Sequence, residues 1–472
     1  MEIIHLSAEC YPVAKAGGLG DVVGALPKYQ SKMGHYAKVV MPMYTTPYLY
    51  TQEWMIDFKG QANLGNRRFD YTVLKDRNNT LGFDLYLIEI PGLMDRPKIY
   101  GYDDDTERFT AFQIAFMDWL NHWQHQPDVI HCHDHHTGLI PFMLKYCYAY
   151  EQLAGIPTVF TIHNAQYQGW MTWDKSVYIP AWDLWKRGLL EWGDVINPMA
   201  SAIKTAWKVT TVSDSYLEEL RHNSNGLEAL FEYEKGKCYG ILNGIDTEVW
   251  NPETDKYIED HFSVDTVTEG KEASKLKLCR QFNLNPELPL IIYIGRLVGE
   301  KAADILPDAI LSCLYSLNRT VSFLVLGSGD PGVEWQLNQI TASFSKNYNC
   351  VIGYNERLSH LMYAGADVLL MPSRVEPCGL NQMYAMRYGT VAAVRSTGGL
   401  KDTVLDMGDW QGWGIRFNHA TVGDITHAIA RAVDLYYNNK VHLNWMRERM
   451  MQIDNSWENA VRQYLNLYES LK

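Results

Sequence analysis

The sequence predicts an α/β protein built on parallel sheets and divided into two domains. Short, continuous Val/Ile/Leu runs recur along the chain, each ended by Gly, Asn, Asp or Ser, as in strands buried on both faces beneath helices. At 472 residues the chain exceeds what one hydrophobic core usually supports. A turn motif is repeated, once in each half, as "GGLGDVV" at 17–23 and "GGLKDTV" at 398–404. Two similar domains, each with a glycine turn at the carboxyl ends of its strands, are expected to hold a ligand between them.

In chain order, the strands of the first half are expected in "EIIHLSA", "AKVVMPMY", "FDLYLIEIP", "DVIHCHD", "PTVFTIHN" and "KVTTVSDS". Those of the second half are expected in "PLIIYIGRL", "VSFLVLGSG", "NCVIGY", "ADVLLMPS" and "TVAAVRSTGG". After the first strand comes "KAGGLGDVVGALPK", Lys15 to Lys28. Glycines there let backbone N–H groups approach a ligand, and a helix beginning there aims its positive end at an anion. A plain tight βα turn would use the same glycines, and Gly18, Gly20 and Gly24 miss the spacing of the dinucleotide fingerprint. The polar stretch Asn251–Leu288 separates the two sets of strands and is expected to be a domain junction. At the end, "SWENAVRQYLNLYES" places Trp457, Val461, Tyr464, Leu465 and Tyr468 on one helical stripe that must dock.

Composition bounds the ligand. A net charge of -13 argues against generic binding to nucleic acid or to an anionic membrane, so an anionic ligand must meet a local basic cluster. No stretch is long and apolar enough to span a bilayer, and the N-terminus lacks a basic region followed by an apolar core, so a cytosolic protein is expected. The 8 cysteines show no CxxC spacing and read as reduced thiols. The 15 Trp and 30 Tyr supply flat faces of the kind that suit sugar rings, although most belong to the core.

Five motifs bear on chemistry. "YIGRLVGEKAAD" sets Arg296 after a strand, with Lys301 close behind, where two cations can neutralise a diphosphate; a surface ion pair is the plainer reading. "MPSRVEPCGLNQMYAMRYG" places Glu376 in a loop before a helix expected from about Leu380, where a carboxylate can accept from ligand hydroxyls or simply be solvated. "TIHNAQYQGW" ends a strand with His163 and Asn164, where parallel sheets bind ligands. "VIHCHDHHTG" invites a zinc reading, with His131 and His133 on one strand face, but it lacks the spacing of a helical zinc site and no metal is expected. Asp103, Asp104 and Asp105 in "YDDDTERF" read as an exposed acidic turn rather than a metal site.

Together these motifs resemble the bacterial glycogen synthase and plant starch synthase family, retaining glucosyltransferases that use ADP-glucose. The resemblance runs nearly end to end, through "SAECYPVAKAGGLGDVVGALPK", "HDHHTGL", "TIHNAQYQG", "ILNGIDTEVWNPETD", "IGRLVGEKAAD", "LGSGDP", "GYNERLSHLMYAGADVLLMPSRVEPCGLNQMYAMRYGT" and "RSTGGLKDTV". It implies two Rossmann-like domains facing across a deep cleft (the GT-B fold), at 1–245 for acceptor and sugar and 246–452 for the nucleotide sugar, with a terminal helix, 453–472, returning to the first. By position, Lys15, Gly17 and Gly18 resemble the nucleotide-sugar loop, and Arg296 and Lys301 the pair that neutralises the leaving ADP. Glu376 resembles the carboxylate that holds the glucose hydroxyls, with Cys378, Gly379 and Leu380 on the same "EPCGL" surface. Tyr354 resembles the residue packed on the base, and Thr397, Gly398 and Gly399 the distal phosphate turn. His163, Asn164, Asp134, Asn243, Asp21 and Tyr100 resemble the sugar-side wall. The chain departs from the family pattern at Ala302, usually glycine, at His135, where tryptophan is common, and at Tyr384, where related transferases keep a second glutamate.

The resemblance implies transfer of glucose from ADP-glucose to the 4-OH of an α-1,4-glucan with retention and without metal or other cofactor. Cleavage loads charge onto the diphosphate, so Arg296, Lys301 and backbone N–H groups would stabilise the transition state, with Lys15, His163 and Glu376 completing the expected catalytic set. No residue stands out as a nucleophile, so same-face attack is expected, with the departing phosphate as base. Tyr354 fits adenine and uracil alike, which keeps UDP-glucose as the alternative donor. The rival readings are a glucan phosphorylase, which would need pyridoxal phosphate, and a non-catalytic glucan binder.

Overall fold

The computed structural model describes all residues, 1–472. The chain forms two compact units: unit 1 is Met1–Val212, Leu217–Ile241 and Ala460–Lys472, and unit 2 is Ser213–Tyr216 and Leu242–Asn459.

Unit 1 is organised on a 9-stranded sheet. Its strands are β1 (Glu2–Leu6), β2 (Tyr36–Pro42), β3 (Trp54–Leu64), β4 (Arg67–Asp76), β5 (Asp84–Glu89), β6 (Val129–His133) and β7 (Thr158–Ile162). The short pair β8 (Glu191–Trp192) and β9 (Val195–Ile196) lies apart, and β10 (Lys208–Thr211) and β11 (Cys238–Gly240) complete the sheet. The order is β11-β10-β7-β6-β1-β2-β5-β4-β3, parallel except for β4 against β3 and β5. The hairpin β3–β4 was absent from the run-based reading because its apolar residues alternate: Phe69, Tyr71 and Val73 are buried while β3 is largely exposed.

Unit 2 carries β12 (Leu290–Ile294), β13 (Ser322–Gly327), β14 (Tyr348–Ile352), β15 (Val368–Met371), β16 (Val391–Arg395) and β17 (Ile415–Phe417). All neighbours are parallel, in the order β14-β13-β12-β15-β16-β17. This is the doubly wound order, and its direction reverses between β12 and β15. In unit 1 the same reversal falls between β1 and β6. Ligands bind outside the carboxyl ends of strands at such points.

The stretch Asn251–Leu288 is not a junction. It lies inside unit 2 and supplies the helix Val267–Phe282, with Ile258, Phe262, Leu278 and Cys279 in the core. Three of its charged residues, Asp255, Lys271 and Lys275, are buried and paired. Lys271 Nζ donates to the carbonyls of Tyr363, Ala364 and Tyr388, Lys275 pairs with Asp367 at 2.7 Å, and Asp255 accepts from the Tyr388 hydroxyl at 2.5 Å. These buried groups tie the stretch into the interior of unit 2, while most of its other polar residues face solvent. The terminal helix Trp457–Glu469 buries its whole predicted stripe, and from Ala460 onward it belongs to unit 1.

Candidate active site

In unit 1 the site grows from the loops after β1, β6 and β7. The loop after β1 is held by Glu9, a residue the sequence reading passed over. Its Oε2 accepts from the backbone N–H of Ala16 at 2.7 Å and of Gly17 at 2.9 Å, and its Oε1 accepts from the Tyr100 hydroxyl at 2.7 Å. Glu9 is 4% exposed, so these bonds are what make its burial tolerable. Gly17 caps the helix Gly18–Lys32, whose first turn carries Asp21. Lys15 Nζ lies 2.7 Å from Asp21 Oδ1 and remains partly exposed. An open groove of about 320 Å³ beside this loop has Lys15, Lys98 and Tyr100 in its walls.

Asp134 follows β6 with φ 56, and its Oδ1 accepts from the backbone N–H of His163 at 2.8 Å. Burial pushes its carboxyl up to about 7, against the backbone N–H donors of His163 and Asn164 that pull it down. Burial drives His163 down to about 3, so its imidazole is neutral. Asn164 Oδ1 accepts from the Gln166 backbone at 2.9 Å.

The histidines of "VIHCHDHHTG" divide into two groups. His131 and His133 gather with His5, one ring nitrogen of each within 4.8 Å of the others, and every ring nitrogen of the three is engaged in a hydrogen bond. His135 and His136 pack on each other at 3.7 Å, and His136 stacks on Tyr100.

In unit 2 the site surrounds the β12/β15 reversal. Arg296 follows β12, with its side chain 65% exposed and Glu300 Oε2 at 3.7 Å. Lys301 closes the turn Gly299–Lys301, and its Nζ lies 2.5 Å from Glu376 Oε2. Ser373 Oγ donates to the same oxygen at 2.9 Å. Glu376 is 8% exposed, so the solvated-loop reading is set aside: it is half of a sheltered ion pair. Tyr293 is buried below and donates to the Arg296 carbonyl at 3.1 Å.

Cys378 is buried, and Gly379 turns at φ +74 against Gln382. Leu380 caps the helix Asn381–Arg387, which Asn381 ties to the end of β12 through the Ile294 carbonyl at 2.8 Å. Thr397 caps the helix Gly398–Thr403, and the Gly399 N–H donates to the Glu376 carbonyl at 3.1 Å. Tyr384, at the position of the missing glutamate, stacks on Trp250 at 3.9 Å. Tyr354 is 88% exposed after β14. Asn243 is buried with Oδ1 unpartnered, an acceptor that a ligand donor would satisfy.

Comparison with known proteins decides the family. The starch synthase catalytic domain family matches residues 2–233, and the glycosyl transferases group 1 family matches 275–450. A glycogen synthase of Flavobacterium johnsoniae is 52% identical over 468 residues, 99% of this chain and 98% of that one. The chain belongs to the glycogen synthase family. A Geobacillus thermodenitrificans glycogen synthase is 38% identical, covering 100% of this chain and 98% of its own. Among solved structures, the catalytic domain of Arabidopsis thaliana starch synthase IV, bound to ADP and acarbose, superposes with TM-score 0.87 at 31% identity, covering 100% of this chain and 99% of that one. Membership of this glycosyltransferase family makes the chain an enzyme with two α/β sheet units. No helix is long and apolar enough to cross a membrane.

Proposed function

We propose that the enzyme transfers an α-glucosyl unit from ADP-glucose to the non-reducing 4-OH of an α-1,4-glucan, with retention and without a divalent metal. One observation carries the reading: at the strand reversal of unit 2, Arg296 follows β12 with its side chain open, and Lys301 pairs with the sheltered carboxylate of Glu376. Cations of this kind stabilise the charge that develops on a departing diphosphate. The ADP held by the related starch synthase supports an adenosine donor, with UDP-glucose as the alternative.

Residues 1–245 are assigned to the acceptor and sugar, and 246–452 to the nucleotide sugar. Lys15, Gly17 and Gly18 are assigned to the diphosphate and the transferred glucose. Asp21, Tyr100, Asp134, His163, Asn164 and Asn243 serve the sugar, Tyr354 the base, and Cys378, Gly379, Leu380, Thr397, Gly398 and Gly399 the remaining donor contacts. Same-face attack is supported by the state of the carboxylates. Glu9 is committed to the loop and Tyr100, and Asp134 to the backbone after β7, which leaves neither as a nucleophile. The departing phosphate then takes the acceptor proton. All 8 cysteines are free, which supports a reducing, cytosolic setting.

The test is glucose incorporation into glycogen from ADP-glucose and UDP-glucose in parallel, with EDTA, followed by the anomeric configuration of the new linkage. Transfer from ADP-glucose with an α product is expected. Transfer from UDP-glucose alone would reassign the donor, and none from either would leave a glucan-binding relative.

A further inference from the structure

Three histidines climb the sheet of unit 1 on a diagonal. His5 lies on β1, His133 ends β6 and His163 follows β7, and these strands are neighbours. The register sets His5 opposite His131 and His133 opposite Thr161. Each step therefore crosses one strand and rises two residues, which keeps the rings on one face.

The rings are joined end to end. His5 Nδ1 is 3.0 Å from His133 Nε2, and His133 Nδ1 is 3.0 Å from His163 Nε2. At the start of the chain Gln30 Oε1, on the helix Gly18–Lys32, is 2.8 Å from His5 Nε2. An amide oxygen only accepts, so His5 carries its proton on Nε2. Burial keeps all three rings neutral, with His5 lowered to about 4, His163 to about 3 and His133 lowered as well. A neutral ring has one N–H. His5 Nδ1 is thus bare and accepts from His133 Nε2, and His133 Nδ1 is bare and accepts from His163 Nε2. The series ends with His163 Nδ1 bare.

We propose that Gln30, acting through His5 and His133, locks the tautomer of His163 so that its unprotonated Nδ1 is the acceptor for a hydroxyl of the transferred sugar. This rests on the reading of His163 as a sugar-side residue. Gln30, His5 and His133 are positioning residues, since they act through His163.

The amide of Gln30 is itself oriented. Its Nε2 faces the Tyr468 hydroxyl at 3.4 Å, and that hydroxyl is 2.6 Å from His131 Nδ1. His131 Nε2 continues to Thr161 Oγ1 at 2.5 Å, and Thr161 to Thr210. Turning the amide over would reverse both series together and place a proton on His163 Nδ1. Tyr468 belongs to the terminal helix, which gives that helix a part in proton order as well as packing.

Long-range proton–nitrogen NMR of the ligand-free, EDTA-treated protein with ¹⁵N-labelled histidine reads the tautomers directly, with His163 assigned by the signals lost in His163→Asn. The expected His163 spectrum shows a protonated Nε2 and a bare Nδ1. A protonated Nδ1 would overturn the proposal. Gln30→Leu removes the acceptor, and His163 should then show both tautomers, with kcat about tenfold lower and the donor KM within about twofold. Gln30→Glu, whose carboxylate also accepts from His5 Nε2, should restore the single tautomer. An unchanged His163 spectrum in folded Gln30→Leu would remove Gln30 from the role. The spectra need no substrate, so the expected tautomer in a chain without glucosyl transfer supports the lock while refuting the proposed reaction.

Discussion

Gly17–Gly18 and Gly398–Gly399 open the two copies of the repeated turn, and the chain uses them in opposite ways. A Cβ built on Gly17 or Gly18 would meet no protein atom within 4 Å, and Gly17 has an extended φ of -146 that any residue adopts. At Gly398 φ is +45, and a Cβ would lie 2.1 Å from the Glu376 carbonyl oxygen; at Gly399 it would lie 2.1 Å from that of Cys378. The second turn is packed against the loop carrying Glu376, so its glycines serve the fold. The first satisfies no internal need. Its bare backbone leaves room for something from outside the protein to approach, which is what the proposed cradle reading of the "KAGG" loop requires and a plain tight turn does not.

The contrast predicts that changes at open groups cost activity and changes at packed groups cost stability. The largest effect should come from the most open cation. Arg296→Ala is expected to lower kcat/KM about a thousandfold, or about 4 kcal/mol of transition-state stabilisation, with the melting temperature unchanged. A loss of stability in place of rate would break the comparison. Gly399→Ala should do the reverse and cost about 3 kcal/mol in denaturant unfolding, because backbone oxygen blocks the new methyl.

Gly18→Ala comes next and should split the two readouts. As the first residue of its helix, alanine there should raise stability by about 0.5–1 kcal/mol. Donor-dependent kcat/KM should fall about tenfold as the methyl intrudes on the approach to the backbone. Equal activity in both proteins would mean that the open surface at Gly18 touches no substrate.

The ease of reading these parts from sequence differs for a physical reason. Strands such as "PLIIYIGRL" and "ADVLLMPS" are locally legible because burial on both faces leaves no polar residues inside them. Arg296 and Glu376 are legible because they directly follow such strands. Glu9 does too, yet its role as an acceptor depends on a backbone that returns to it seven and eight residues later. His5 and Tyr468 were hidden further. His5 reads as a polar interruption in "EIIHLSA", and its meaning depends on the register of β1 against β6. Tyr468 was legible as one apolar position in a stripe, while its hydroxyl meets His131 across 337 residues of chain.

The smallest effect concerns a glycine the chain lacks. Ala302, which follows Lys301, holds φ 55, the left-handed region, and is fully buried. Left-handed backbone costs an alanine about 1–2 kcal/mol. Replacing it by glycine would relieve that cost, but would lose about 0.8 kcal/mol of methyl burial and add about 0.5–1 kcal/mol of unfolded-state entropy. The terms oppose each other and nearly cancel, so Ala302→Gly should move the unfolding free energy by less than about 1 kcal/mol. That balance explains how alanine persists beside the cation without disturbing the pair Lys301–Glu376. A stabilisation above about 2 kcal/mol in denaturant titration would show that the turn stores strain, and would set it with the Gly398 turn as a place where conformation, rather than ligand access, decides the residue.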